Sequence, residues 1–260
     1  MKILVLFATL FAFACAFAAE AKVRTETVEY RDGDTILEGY LAYDDAAKGR
    51  RPGVVVVHEW WGLNDYVKGR AEELANLGYV AFAIDMYGKG TRAKTAEEAG
   101  KLAGIYRADR KLMRRRAGAG LEVLKKYPLT DPKKIAAIGY CFGGGVVLEM
   151  ARAGTDIAGV VSFHGSIDNP NPEDAKDIKA SVLVLHGADD PFVKQEQVDA
   201  FWNEMKKTSA DWQVNIYSGA VHSFTNPESG NDKSKGVAYN EKAARRAWNA
   251  MKLFFGEIFK

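Results

Sequence analysis

Residues 138–144 read IGYCFGG, and their neighbours decide what kind of chain surrounds them. Residues 135–138 form a short apolar run and residues 144–153 carry a helical pattern, so the motif sits at a strand-to-helix turn. A turn that sharp forces the residue between the glycines, Cys141, into a strained backbone conformation. A Cβ at Gly139 or Gly143 would collide with the adjacent strand or helix. The GxCxG pattern therefore presents a side chain for chemistry, with sulfur where serine is the commoner nucleophile. Taken alone it also fits an ordinary glycine turn, so support has to come from the rest of the chain.

On both sides of this turn, strand and helix patterns alternate. Residues 23–30 and 35–43 alternate polar and apolar around residues 31–34, the mark of an antiparallel hairpin. After Pro52 the run GVVVVHEWWG predicts a strand buried on both faces of a parallel sheet. A helix opens at Asp65, with Val67, Ala71, Leu74 and Leu77 on one face and Gly78 closing it, and residues 79–85 form the next strand. Helical spacing then runs from Thr95 to Tyr127, with an interruption expected near Gly100 and Gly104. Strands at 157–163 and 181–186, a helix marked by Val198, Phe201, Trp202 and Met205, the strand WQVNIY and a closing helix from Ala244 to Ile258 complete the order. The expected architecture is α/β: a mostly parallel, doubly wound sheet flanked by helices, preceded by an antiparallel hairpin.

Composition narrows the functional classes. The chain has 260 residues, 47% of them hydrophobic and 27% charged, which suits a single domain with a sizeable core. A net charge of +2, from 36 basic and 34 acidic residues, carries no footprint of a nucleic-acid partner, and Arg114, Arg115 and Arg116 read as a solvated helix face. Lys2, an apolar run and the small residues Ala16 and Ala18 around Phe17 form an export signal over residues 1–18. A periplasmic or secreted protein with no membrane span after cleavage is expected, with the domain covering 19–260. Cys15 lacks the large aliphatic residue three positions earlier that a lipid attachment site usually has. Removing the signal leaves Cys141 without a disulfide partner, either a small buried hydrophobe or a functional thiol.

In such a sheet the ligand site lies beyond the carboxyl ends of the strands. His58 and Glu59, Cys141, Asp189 and Asp190, and His222 all fall there. Cys141, an aspartate and His222 follow one another in the order of nucleophile, acid and base, each at a predicted strand end. His58 and His186 are more tightly flanked by apolar residues, and His164 precedes a loop, so these three read as structural histidines. Either aspartate could orient the imidazole while the other caps the loop. The His and Asp residues show no metal-ligand spacing, and neither a metal nor an organic cofactor is expected.

HEWWG at His58, GYCFGG at Gly139, GADDPFV at Gly187 and HSF at His222 together resemble the dienelactone hydrolase family of the α/β-hydrolase superfamily, across nearly the whole chain after the signal. The resemblance implies a catalytic triad of Cys141, Asp190 and His222, which favours Asp190 over Asp189. It implies backbone N–H groups of Trp60 and Phe142 as the oxyanion hole. It also implies that Glu59 holds the resting cysteine as a neutral thiol until substrate displaces it. The expected reaction is hydrolysis of a small ester or lactone through a thioester acyl-enzyme.

Trp60, Trp61, Tyr87, Phe142 and Phe224 flank strand ends and could line an acyl pocket, or equally belong to the core. Ser223 adjoins the base. The basic, glycine-bearing segment 86–95 could bring Arg92 or Lys89 to an anionic substrate. Relatives acting on dienelactone carry an arginine shortly after HSF where Asn226 stands here, and the second family arginine has no clear counterpart near residues 99–107. The resemblance therefore implies a small ester, lactone or thioester without singling out dienelactone. A non-catalytic binding protein on the same scaffold would fail to form a burst of acyl-enzyme. A thiol redox protein would need a resolving cysteine, which the chain after the signal lacks.

Overall fold

The computed structural model describes residues 22–260; the signal read over 1–18, with Cys15, lies outside the described residues. In chain order the strands are β1 (Val23–Asp32), β2 (Thr35–Asp44), β3 (Arg51–Val57), β4 (Val80–Ile84), β5 (Thr130–Tyr140), β6 (Gly159–Phe163), β7 (Ser181–Gly187) and β8 (Trp212–Tyr217). They form one sheet in the order β1-β2-β4-β3-β5-β6-β7-β8. The β1–β2 hairpin is antiparallel and joins β4 antiparallel, whereas β4 through β8 pair in parallel. Its turn passes through Gly33 at φ +57°, a conformation glycine reaches without a Cβ clash. β4 and β6 are buried at every residue, and so is the VVVV run of β3, as expected for strands covered on both faces.

Helices cover both faces. On one, α1 (Asp65–Asn76) and α6 (Glu241–Ile258) pack Leu74, Met251 and Phe255 against Val54, Val56 and Leu183. On the other, α2 (Ala96–Ala108), α3 (Arg110–Lys126), α4 (Phe142–Arg152) and α5 (Gln195–Met205) bury Tyr106, Leu121, Val147 and Phe201 against Val55, Phe82 and Val184. The sheet thus has a core on each face, the α/β-hydrolase architecture expected above.

Three local readings change, one being the solvated face of Arg114, Arg115 and Arg116: Arg115 is exposed, but Arg116 is buried on Asp32 and the Met86 carbonyl and Arg114 pairs with Glu149 and Asp174. The helical stretch from Thr95 breaks at Asp109, not at Gly100 or Gly104. Asp109 ends α2 and also caps α3, its carboxylate accepting from Leu112 N–H at 2.9 Å. A short acceptor that satisfies an orphan N–H restarts a helix, whereas a glycine on an open helix face need not stop one. Leu77, read on the buried face of α1, is instead its C-terminal cap and 44% exposed.

Candidate active site

All the candidate chemistry sits beyond the carboxyl ends of the parallel strands. Cys141, between β5 and α4, has φ +53° and ψ −113°, a conformation an L-residue adopts only when its surroundings impose it. The imposing contacts are backbone to backbone. A Cβ at Gly139 would lie 2.0 Å from the Gly143 carbonyl oxygen, and one at Gly143 would lie 2.4 Å from that of Val57. Cys141 N–H donates to the Phe163 carbonyl at 3.0 Å, tying the turn to β6. The side chain borders a cavity of about 760 Å³ that it shares with His222, Glu59, Trp60 and Trp61.

His222 lies on the loop after β8, where its backbone N–H donates to the Gly236 carbonyl at 3.1 Å. Its Nδ1 hydrogen-bonds Asp190 Oδ2 at 2.8 Å, while Asp190 Oδ1 accepts from Phe192 N–H at 2.9 Å. Asp189 is exposed, so the structure brings Asp190 and not Asp189 to the imidazole. His164 and Phe192 both contact the His222 ring edge to face, at 5.3 and 5.2 Å. Burial by itself would depress the His222 pKa. The neighbouring Cys141 sulfur and the bond to Asp190 outweigh it and lift the pKa well above its ordinary value.

Glu59 lines the same cavity as Cys141. Its carboxylate is 4% exposed, with Oε1 accepting from Ser223 Oγ at 2.6 Å and Oε2 from Asn226 Nδ2 at 2.9 Å. Burial raises its pKa, against the two hydrogen bonds and the nearby His222, which lower it. No hydrogen bond joins Glu59 to Cys141 among the described residues. Asn226 is one of the two donors that hold the carboxylate in place.

Trp60, Trp61, Arg92 and Ser223 line the cavity, whereas Tyr87 and Phe224 do not. The Tyr87 hydroxyl is turned inward and donates to the Trp60 carbonyl at 3.0 Å. Phe224 is fully buried against His164 and Tyr217. Phe224 therefore belongs to the scaffold, and Tyr87 supports the cavity wall from behind Trp60. Lys89 is held by Glu29 at 2.7 Å and Glu38 at 3.4 Å, away from the cavity. The Phe142 side chain is core, but its N–H lies in the first turn of α4, where backbone donors lack partners within the helix. The structure adds Arg107, near the C-terminal end of α2, to the cavity wall. It falls inside the stretch where no counterpart of the second family arginine was evident, and helical periodicity carries no signal for a polar residue facing a site.

The dienelactone hydrolase family model matches residues 37–259. The chain belongs to this family. The hydrolase is 31% identical over 237 residues to "Protein usf" of Aquifex pyrophilus, covering 89% of this chain and 98% of the relative. It is 30% identical over 240 residues to a protein of Aquifex aeolicus (strain VF5) whose name proposes a carboxymethylenebutenolidase, covering 90% and 99%. Among solved structures, a dienelactone hydrolase-like promiscuous phosphotriesterase from metagenomic libraries superposes with a TM-score of 0.87 at 43% identity, covering 92% of this chain and 99% of the other. Another, titled m3DLH, has a TM-score of 0.88 at 39% identity with the same coverage. The hydrolase is a carboxylic ester hydrolase of the α/β-hydrolase fold.

Proposed function

We infer that the protein cleaves small carboxylic esters or lactones through a thioester formed on Cys141, with His222 as the base and Asp190 orienting it. The observation that carries this reading is the 2.8 Å bond from Asp190 to His222, whose ring adjoins a cysteine on a strained strand-to-helix turn. His222 takes the thiol proton and the sulfur attacks the acyl carbon. The oxyanion meets the N–H groups of Trp60 and Phe142, each such donor being worth about a hundredfold or more in rate. Collapse expels the alkoxide, which receives its proton from His222. Water then gives a proton to His222, attacks the thioester, and the sulfur leaves and is reprotonated.

Arg92 and Arg107 on the cavity wall suit an acyl or alcohol part bearing a negative charge, and the Trp60–Trp61 pair, 5.3 Å apart, suits an apolar one. Phosphotriester cleavage is a second reading, supported by the 43% identical phosphotriesterase; the same sulfur would attack phosphorus and the same N–H groups would meet the phosphoryl oxygen. In assays with a p-nitrophenyl ester and a p-nitrophenyl phosphotriester, Cys141→Ala is expected to abolish turnover of every substrate the wild type accepts, with the fold intact by circular dichroism. Undiminished ester turnover in that variant would remove the nucleophile assignment.

A further inference from the structure

His58 follows β3 directly and is fully buried, yet both ring nitrogens are engaged with the backbone. Nε2 lies 3.3 Å from the N–H of Met86, which can only donate, so Nε2 is the acceptor. The ring proton is then on Nδ1, and Nδ1–H donates to the Glu59 carbonyl oxygen. Burial lowers the His58 pKa, which agrees with a neutral ring. The Glu59 carbonyl and the Trp60 N–H are the two ends of one peptide group. Peptide bonds among the described residues are all trans, so that N–H points opposite to its carbonyl. Holding the carbonyl against His58 therefore turns the N–H away from the ring.

The next carbonyl, that of Trp60, accepts from the Tyr87 hydroxyl at 3.0 Å, so two successive peptides are pinned from beneath. The His58 ring also stacks on Phe142, with centroids 6.0 Å apart and planes at 27°, and Tyr87 packs against both rings at 4.8 and 5.7 Å. We propose that His58 is a positioning residue for the oxyanion hole, setting the aim of the Trp60 N–H through the Glu59 carbonyl and joining it to the Phe142 side through the ring stack. A hydrogen bond accepted by the carbonyl also polarises the peptide and makes its N–H a stronger donor. The inference rests on the reading that Trp60 and Phe142 receive the oxyanion.

Two reactions of Cys141 separate this role from a general structural one. Hydrolysis of p-nitrophenyl acetate passes through an oxyanion. Alkylation by iodoacetamide does not: a sulfur–carbon bond forms as iodide leaves. His58→Leu is expected to lower kcat by about tenfold or more, with KM changed by less than about threefold. The alkylation rate is expected to stay within about twofold of wild type, because the nucleophile is untouched. His58→Gln, which keeps a donor and an acceptor, should recover most of kcat. Tyr87→Phe should show a smaller loss of the same kind, and serves if His58→Leu does not fold. Full kcat in folded His58→Leu or Tyr87→Phe, or alkylation falling in step with kcat, would overturn the proposal. Wild-type protein that is alkylated at Cys141 and still hydrolyses the ester would overturn the nucleophile reading beneath it.

Discussion

Among the described residues, positive φ at a non-glycine residue occurs at Cys141, His164 and Ser223, and all three surround the His222 imidazole. Cys141 sits in the turn the ring faces, His164 packs on the ring, and Ser223 is the next residue in the chain. Strain of this kind persists only where packing over-determines it, which marks the region as one the fold was shaped around. The raised pKa of His222 links the same ring to stability. A group whose pKa rises on folding contributes stability that is full below its unfolded value, near 6.5 for histidine, and that is lost as pH climbs through the folded value. Asp190→Asn removes one cause of the rise. The excess Tm of wild type over this variant is therefore expected to shrink as pH goes from about 6 to about 9. A gap that widened over that range in thermal melts would show that the Asp190 bond does not favour the protonated ring.

At the scale of elements, the α2–α3 break at Asp109 decides where Arg107 ends up. A continuous helix through 95–127 would carry this last turn in a different direction. Asp109 ends one helix and starts the next through its bond to Leu112 N–H, and Arg107 reaches the cavity wall two residues earlier. Asp109→Ala is expected to cost about 1 kcal/mol in urea unfolding, the usual loss for a helix cap. Arg107→Ala should raise KM for an anionic ester more than for a neutral one, since the cavity wall loses a positive charge. Equal effects on both substrates would detach Arg107 from charge recognition.

Across the whole molecule, one buried guanidinium ties the helices of one face to the loop that follows β6. All five N–H groups of Arg152 are used: Nε and Nη2 on Glu204 at 2.8 and 3.0 Å, Nη1 on Glu149 and the Asp168 carbonyl at 3.0 Å each, and Nη2 also on the Ile167 carbonyl at 3.1 Å. Arg114 reaches Glu149 as well, at 2.8 Å, and continues to Asp174. The loop held by Arg152 carries Ser166, which lines the cavity, so the network braces that part of the cavity wall. Removing one member of a buried charge network leaves the others without compensation. Arg152→Met is accordingly expected to lower unfolding free energy by about 3 kcal/mol or more, read from the urea midpoint. A loss under about 1 kcal/mol would mean that water replaces the guanidinium freely.

The sequence by itself determined the features that arise over a few residues. Glycine spacing around Cys141 marked the turn: at Gly139 the clash avoided is with Gly143 in the helix that follows, a short-range contact, whereas the one avoided at Gly143 is with Val57 of β3. Alternation over 23–43 dictated the hairpin, and the unbroken apolar runs dictated buried parallel strands. The tertiary structure alone decided which side chains meet. It turned Phe224 away from the cavity and Tyr87 behind its wall, brought Arg107 to that wall and gave Glu59 partners 164 and 167 residues away. Local sequence encodes backbone conformation and periodicity, which are short-range. Whether a polar side chain faces a cavity, a partner or the core depends on packing between strands brought together from the whole length of the chain.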